Sequence, residues 1–95
     1  MVIIELTYIK PLSEVERFLK EHIQFLDKYY DQSVFIVSGR KVPRDGGVIL
    51  ALTDKASAAE IIKEDPFHRE NIAEYHLIEF EPSKIDSRLK DILHD

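Results

Sequence analysis

Two short stretches of the chain place ionisable side chains where they can do acid/base chemistry together. His22 falls within a run of apolar residues that recur at three- and four-residue steps, so its imidazole is expected on the buried face of a helix. Asp65 precedes Pro66 and Phe67 at the predicted end of a second helix. An imidazole titrates near neutral pH, and a carboxylate on its far nitrogen fixes its tautomer and orientation. We therefore predict that His22 and Asp65 meet as an acid/base pair.

Each of these residues also has an ordinary structural explanation. A histidine on a buried helix face can be satisfied by a backbone carbonyl, and buried ionisable groups are often structural. An aspartate before a proline commonly ends a helix through local hydrogen bonds. Phe67 can be a core anchor rather than a contact for an aromatic ligand. Contact between the imidazole of His22 and the carboxylate of Asp65 is what would favour the chemical alternative.

A second group of candidate residues closes the second predicted strand. Ser38 can donate a hydrogen bond to a substrate oxygen, and Gly39 permits close approach of the backbone. Arg40, with Lys41 and Arg44, concentrates positive charge in an acidic chain and can steer an anionic or phenolate substrate. The alternatives are a plain strand-to-loop transition and a solvated loop. Ser38 has no local histidine–acid partner, so a serine nucleophile is not expected.

The spacing of the histidines does not indicate a metal site. His22, His68 and His76 lack the His-x-x-x-His spacing or a comparable one, and a proline lies between Asp65 and His68. The sequence also contains no glycine-rich phosphate loop and no nucleotide fingerprint. We therefore expect no metal and no cofactor.

Composition excludes further classes of function. The 95 residues suit a single domain, and their net charge of −5 argues against a nucleic-acid binder, which needs a basic face. The absence of cysteine excludes disulfides and thiolate metal sites and fits a reducing compartment. The first residues lack the pattern of a signal peptide, and no apolar run approaches the roughly 20 residues that span a bilayer. We expect a soluble, cytoplasmic protein that binds neither nucleic acid nor membrane.

The elements that must position these side chains follow the order β-α-β-β-α-β, which is the ferredoxin-like arrangement of an α+β protein. Strands are predicted at residues 2–9, 34–37, 48–53 and 74–81, the middle two forming an antiparallel hairpin with a widened loop. The first helix is expected to start with a capping box of Ser13 and Glu16. The second is expected to start at Thr53 or Asp54 and to end at Pro66.

Residues 83–95 are predicted to form a C-terminal amphipathic helix. Ser83 is its candidate cap, and its apolar side carries residues at helical spacing: Ile85, Leu89, Ile92 and Leu93.

The predicted strands are apolar on both faces. In the first strand Val2 and Ile4 alternate with Ile3, and in the second Ile36 alternates with Phe35. Near-continuous apolar strands need cover on both sides, whereas both helices of a ferredoxin-like fold pack on one face of the sheet. We therefore expect a second copy of the chain on the other face. The predicted assembly is a homodimer whose sheets face each other, or a larger homo-oligomer.

Four segments, in this order along the chain, resemble the YciI-like proteins. They are Glu21 to Leu26, Ser38-Gly39, Gly46 to Ile49, and Asp65-Pro66-Phe67. The resemblance covers nearly the whole chain and implies one YciI-like domain over residues 1–95. It implies membership of the dimeric α+β barrel superfamily, which agrees with the two-sided strands. It also implies a histidine–aspartate pair in a pocket, here His22 and Asp65.

The resemblance further implies a class of reaction. One branch of the family is similar to dehydrochlorinating enzymes that act on hydroxylated aromatic rings. We therefore expect proton transfer with elimination or isomerisation of a small molecule, with Ser38, Gly39, Arg40 and Phe67 as candidate substrate contacts. Many relatives have Ser-Gly-Pro where this chain has Ser38-Gly39-Arg40, which removes a rigid residue and adds a charge beside the pocket, so the resemblance does not by itself assign a relative's substrate to this chain. The competing hypotheses are a non-catalytic ligand-binding module and a purely structural homodimer.

Overall fold

The computed structural model describes residues 1–93 of the chain as an α+β fold. Its strands and α-helices follow one another as β1 (Val2–Tyr8), α1 (Leu12–Asp31), β2 (Phe35–Arg40), β3 (Gly46–Ala51), α2 (Lys55–Ile61), α3 (Pro66–Arg69), β4 (Ala73–Glu79) and α4 (Lys90–Leu93). A 3₁₀ turn at Ile62–Glu64 joins α2 to α3, and a second at Ser87–Leu89 leads into α4. The predicted α+β class and the ferredoxin-like order of elements are confirmed.

The four strands form one antiparallel sheet in the order β2-β3-β1-β4. The face of the sheet that carries Val2, Ile4 and Leu6 is buried against α1 and α2, and we call it the helix face. The opposite face carries Ile3 and Glu5, and we call it the open face. Because side chains alternate along a strand, the register assigns every strand residue to one of these two faces.

An aromatic cluster fixes α1 against the helix face. The rings of Phe25 and Tyr29 lie 5.5 Å apart, and the ring of Phe35 on β2 lies 5.7 Å and 5.3 Å from them, respectively. All three residues are buried. Aromatic side chains contribute large buried areas and preferred ring geometries, so this cluster sets the position of α1 over the sheet. His22 lies about one turn before Phe25 on the same helix face.

The helix starts differ from the prediction at α1 and agree with one of the two alternatives at α2. The capping box is wrong: α1 begins at Leu12 and has no side-chain cap. Instead the carbonyl of Pro11 accepts hydrogen bonds from the amides of Glu14 and Val15, so Ser13 already lies inside the first turn. At α2 the cap is Asp54, whose side chain accepts a hydrogen bond from the amide of Ser57.

The predicted end of the second helix at Pro66 is also wrong. Helix α2 ends at Ile61, and Pro66 is the first residue of α3. A proline is favourable at the first position of a helix, because its fixed φ suits the helix and its missing N–H would have no intrahelical partner there. The same residue pair that can end one helix therefore begins another.

The C-terminal helix is shorter than predicted. Only Lys90–Leu93 is α-helical within the described residues, and the prediction for residues 94 and 95 lies outside them. The side chain of Asp86, not Ser83, caps the turn that precedes α4 by accepting from the amide of Arg88. Because Asp86 caps this turn and also contacts the guanidinium of Arg88, the turn starts three residues later than the predicted cap at Ser83.

Residues 80–93, which we call the C-terminal segment, lie over part of the open face. Phe80, Ile85 and Leu89 of the segment face Val37 and Leu50 of the sheet across a pocket of about 270 Å³. The chain itself therefore supplies some of the cover that we expected from a second copy. No helix within residues 1–93 is long and apolar enough to cross a membrane.

Candidate active site

The fold brings His22 and Asp65 into contact. His22 Nδ1 lies 2.8 Å from Asp65 Oδ1, although the two residues are 43 positions apart in the sequence. The imidazole is 13% exposed, and the carboxylate is completely buried. The contact that the sequence predicted is therefore present, whereas the catalytic roles of the two residues stay a prediction.

Asp65 is surrounded by hydrogen-bond donors on both oxygens. Besides His22, its Oδ1 accepts from the amide of Phe67 at 3.0 Å, which makes Asp65 the N-cap of α3. Its Oδ2 accepts from the hydroxyl of Tyr75 at 2.5 Å. A buried carboxylate without partners costs several kcal/mol. These three donors are what allow Asp65 to lie in the interior.

The contact with Asp65 assigns a role to each nitrogen of the imidazole. A carboxylate only accepts hydrogen bonds, so Nδ1 of His22 is the donor, and in the neutral ring Nε2 is then the acceptor. Nε2 has no hydrogen-bond partner within residues 1–93, where every buried side-chain nitrogen and oxygen has one. Solvent therefore reaches Nε2, and this nitrogen can exchange a proton with a bound compound.

The plane of the imidazole is fixed by Phe67. The two rings stack with centroids 4.1 Å apart and planes within 8° of parallel. Tyr8 in turn packs its ring edge-on against Phe67 at 6.0 Å. Phe67 follows Asp65 by two residues. The same turn of chain therefore supplies the carboxylate that orients the imidazole and the ring that packs against its face.

Tyr75 is the residue of this cluster that sequence reasoning missed. Burial and the adjacent carboxylate of Asp65 raise the pKa of Tyr75 well above its ordinary value, so its hydroxyl keeps the proton that it donates. A signal was available in the alternation of β4, where Tyr75 lies between the inward-facing Ala73 and Leu77. A tyrosine at an inward position needs a hydrogen-bond partner for its hydroxyl.

A pocket of about 290 Å³ opens beside His22, between α1 and the helix face. Its walls are mainly apolar: Leu6, Leu19, Ile23, Leu26, Ile49 and Phe67. Strand β2 adds Ser38, Gly39 and Arg40 to the lining. Five of the six predicted site residues therefore line one pocket, and the sixth, Asp65, is buried behind His22.

The register of β2 shows how its three candidates contribute. Ser38 lies opposite Ile49 and Arg40 opposite Gly47, on the helix face, whereas Gly39 lies opposite Val48 on the open face. A Cβ added to Gly39 would meet no atom within 4 Å, so close backbone approach does not explain that glycine. Ser38 and Gly39 also lie inside β2, not at its end as predicted, since the strand continues to Arg40.

Glycine is required where β3 begins. A Cβ on Gly46 would lie 1.8 Å from the carbonyl oxygen of Leu6 on β1, which no side chain can satisfy without moving the backbone. Gly46 thus lets β1 and β3 approach closely at the floor of the pocket.

Two of the three cations at the end of β2 and in the loop that follows it are paired. Lys41 contacts Glu5 at 3.0 Å, and Arg44 contacts Glu16 at 3.0 Å. Arg40 has no ion pair within residues 1–93. Among the described residues, the expected concentration of positive charge at the pocket is therefore reduced to one guanidinium without an ion pair, that of Arg40.

In the part of the chain that the structure describes, no three histidine, cysteine, aspartate or glutamate side chains are grouped to hold a metal ion. His68, which the sequence placed near Asp65, is exposed and packs its ring edge-on against Tyr75 with centroids 5.3 Å apart.

Comparison with known proteins assigns most of the chain to one family. Residues 1–81 match the family described as the YCII-related domain. No curated protein matches the chain. The matched region contains all four strands and all six predicted site residues, and it ends within the first residues of the C-terminal segment.

Proposed function

The chain belongs to the YCII-related domain family, and from that premise we propose that it is an enzyme that transfers protons on a small molecule. His22 is the general acid/base, and Asp65 orients it. The observation that carries the proposal is the 2.8 Å contact between Nδ1 and the buried carboxylate, which leaves Nε2 accessible beside a pocket. The reaction class is elimination or isomerisation, as in lyases and isomerases.

The geometry supports one chemical sequence. Nε2 of His22 takes a proton from a carbon of the bound compound, and the electron pair of that C–H bond forms a new double bond. In an elimination the leaving group departs with its bonding electrons, and the imidazolium releases its proton to water. In an isomerisation an adjacent double bond shifts, and its electron pair takes the proton back from the imidazolium at another carbon. The carboxylate of Asp65 stabilises the imidazolium through Nδ1–H.

The test begins with a screen for turnover of small phenols, lactones and halogenated hydroxy-aromatic compounds. With a converted substrate in hand, His22→Asn should lower kcat by roughly 100- to 10,000-fold, the usual contribution of a positioned acid/base group. Asp65→Asn should also impair turnover, because the amide can set the wrong imidazole tautomer. His68→Asn is the matched control, since His68 is exposed outside the pocket. Native turnover by His22→Asn would show that the proposed mechanism is wrong.

The competing function is a ligand-binding module without catalysis. One observation favours it: Asp65 caps α3 through the amide of Phe67, so its burial has a structural reason that needs no reaction. In that case substitution of His22 would change ligand affinity and no substrate would be converted. A purely structural homodimer would show neither effect.

We also propose that the chain acts as a homodimer that pairs its open faces. The register places Val37, Leu50, Ile3 and Ile78 in one row across that face. Val37 is 61% exposed and Ile78 is 44% exposed, even with the C-terminal segment in place. An apolar row of this kind is typical of a surface that a partner covers.

Light scattering at micromolar concentration should give twice the chain mass of 11.1 kDa. Val37→Asp should dissociate the dimer and lower its stability, because the open face would lose its cover. Val42→Asp is the control, since Val42 is 94% exposed on the β2–β3 loop and lies outside the row. A folded native chain with the mass of a monomer would contradict the dimer.

A further inference from the structure

The alternation of β2 turns two polar side chains toward the same pocket. Ser38 and Arg40 are two residues apart on the helix face, so their Cβ atoms lie roughly 6.6 Å apart along the strand. Lys41, the next residue, contacts Glu5 and Thr7, which belong to the open face of β1. The side chains of Arg40 and Lys41 thus lie on opposite faces of the sheet, and that of Arg40 lies at the pocket.

Arg40 differs from the other cation of the pocket lining in its charge balance. Arg44 also lines the pocket, but Glu16 lies 3.0 Å from its guanidinium and neutralises it. Arg40 has no carboxylate within ion-pair distance among residues 1–93. Its planar guanidinium presents several N–H groups in the fork that matches a carboxylate.

Ser38 adds a second donor next to Arg40. Its hydroxyl lies 2.7 Å from the hydroxyl of Tyr30, and the two groups share one hydrogen bond. When Tyr30 donates in that bond, the proton of Ser38 is available to an oxygen of a bound compound. The pocket therefore offers an anion one charged and one neutral donor from the same strand.

The rest of the pocket suits an apolar body. Leu19, Ile23 and Leu26 of α1 form one wall, and Phe67 lies beside His22 at the inner end. The volume of about 290 Å³ lies just below the roughly 300–1,000 Å³ that is usual for small-molecule sites. A compound with a single ring or a short branched chain fits such a space.

We propose that the pocket binds a small apolar carboxylate and that Arg40, assisted by Ser38, recognises its carboxylate group. The apolar body then lies against α1, near Nε2 of His22. That this carboxylate is the substrate rests on the proposed function, whereas its binding is measured without any turnover.

The test compares charged and neutral probes of the same shape on the full chain. Benzoate, phenylacetate and cinnamate are titrated against their primary amides by calorimetry, with NMR shifts to locate the binding site. At least one acid should bind about tenfold tighter than its amide, as expected for one charge-assisted hydrogen bond. Arg40→Gln should remove that difference by weakening the acid about tenfold and leaving the amide unchanged.

Lys41→Gln is the matched control, because it removes the same charge from the neighbouring residue on the other face of the sheet. It should leave the affinity for the acid unchanged. The proposal is overturned if no acid binds at the pocket, if acid and amide bind equally, or if Lys41→Gln weakens the acid as much as Arg40→Gln does.

His22→Asn separates this proposal from the proposed function. If His22→Asn still binds the acid and no compound is turned over by the native chain, the carboxylate site is supported and the proposed enzymatic function is contradicted. Turnover of uncharged compounds that depends on His22, without preference for acids, would support the enzyme and overturn the carboxylate site.

Discussion

The two faces of the sheet carry pockets of nearly equal size and different character. The pocket on the helix face has about 290 Å³ and is lined by His22, Ser38 and Arg40 among apolar residues. The pocket on the open face has about 270 Å³, and its charged side chains, Lys84 and Asp86, belong to the exposed C-terminal segment. Volume alone therefore does not distinguish a candidate site from a gap in the packing.

The two pockets differ in the residues that support their lining side chains. Asp65 is the one charged side chain that is buried within residues 1–93. It accepts a hydrogen bond from His22, which lines the helix-face pocket. The wall of the open-face pocket consists mainly of apolar side chains of the sheet and the C-terminal segment. A polar group fixed by buried partners keeps one orientation, which acid/base chemistry requires and apolar packing alone does not provide.

If the two pockets differ in this way, Asp65→Ala should cause the largest loss in the free energy of unfolding. It leaves the imidazole of His22 and the hydroxyl of Tyr75 without their acceptor and removes the cap of α3. Breaking a buried charged network in this way costs about 3–5 kcal/mol of unfolding free energy. Urea denaturation at a fixed protein concentration measures it.

The matched substitution on the other face is Leu89→Ala. Leu89 lines the open-face pocket and is about half exposed, so its truncation should cost about 1 kcal/mol or less. Equal losses for the Asp65→Ala and Leu89→Ala variants would show that the two faces are built alike and would contradict the distinction drawn between them.

Tyr75→Phe is expected to cost less than Asp65→Ala and more than Leu89→Ala. It removes the donor to Oδ2 of Asp65 and leaves the donors to Oδ1 in place. A hydrogen bond to a charged group is worth about 1.5–3 kcal/mol, so the unfolding free energy should fall by that amount. An unchanged stability would mean that Tyr75 does not help to hold the carboxylate.

Tyr75→Phe should also change how the free energy of unfolding depends on pH in the alkaline range. The pKa of Tyr75 is raised in the folded chain, chiefly by burial and then by Asp65, so above about pH 10 the unfolded chain loses a proton that the folded chain keeps. The free energy of unfolding should then decrease by about 1.4 kcal/mol per pH unit for this group. Tyr75→Phe should lack that component. The contribution of Tyr29, whose pKa burial also raises, is common to both proteins and cancels.

Local patterns in the sequence predicted the order of elements and the contact between His22 and Asp65. Strand alternation and helical spacing each extend over several residues, so they report the elements reliably. The starts of helices rest on one or two residues. There the prediction failed at α1 and α4, whereas Asp54, one of the two candidates for α2, is its cap. Ser13 and Glu16 have the spacing of a capping box, but Pro11 starts α1 earlier.

Other features depend on contacts that no local pattern encodes. Asp65-Pro66 is compatible with the end of one helix and with the start of another, and only the path from α2 into β4 decides between them. The donor from Tyr75 arrives from a neighbouring strand. The pairing of Lys41 with Glu5 and of Arg44 with Glu16 likewise joins segments far apart in the sequence. Which of the three cations has no ion pair within residues 1–93 was therefore not predictable.

The double use of Oδ1 of Asp65 has a consequence for how this family can evolve. Because the same oxygen caps α3 and holds His22, a relative without the proposed acid/base chemistry would still need the aspartate for its fold. The histidine contributes less to the fold, since Asp65 keeps two of its three donors, the amide of Phe67 and the hydroxyl of Tyr75, without it. Substitution at the position of His22, with the aspartate retained, is therefore the pattern expected in a relative that lacks the proposed acid/base chemistry.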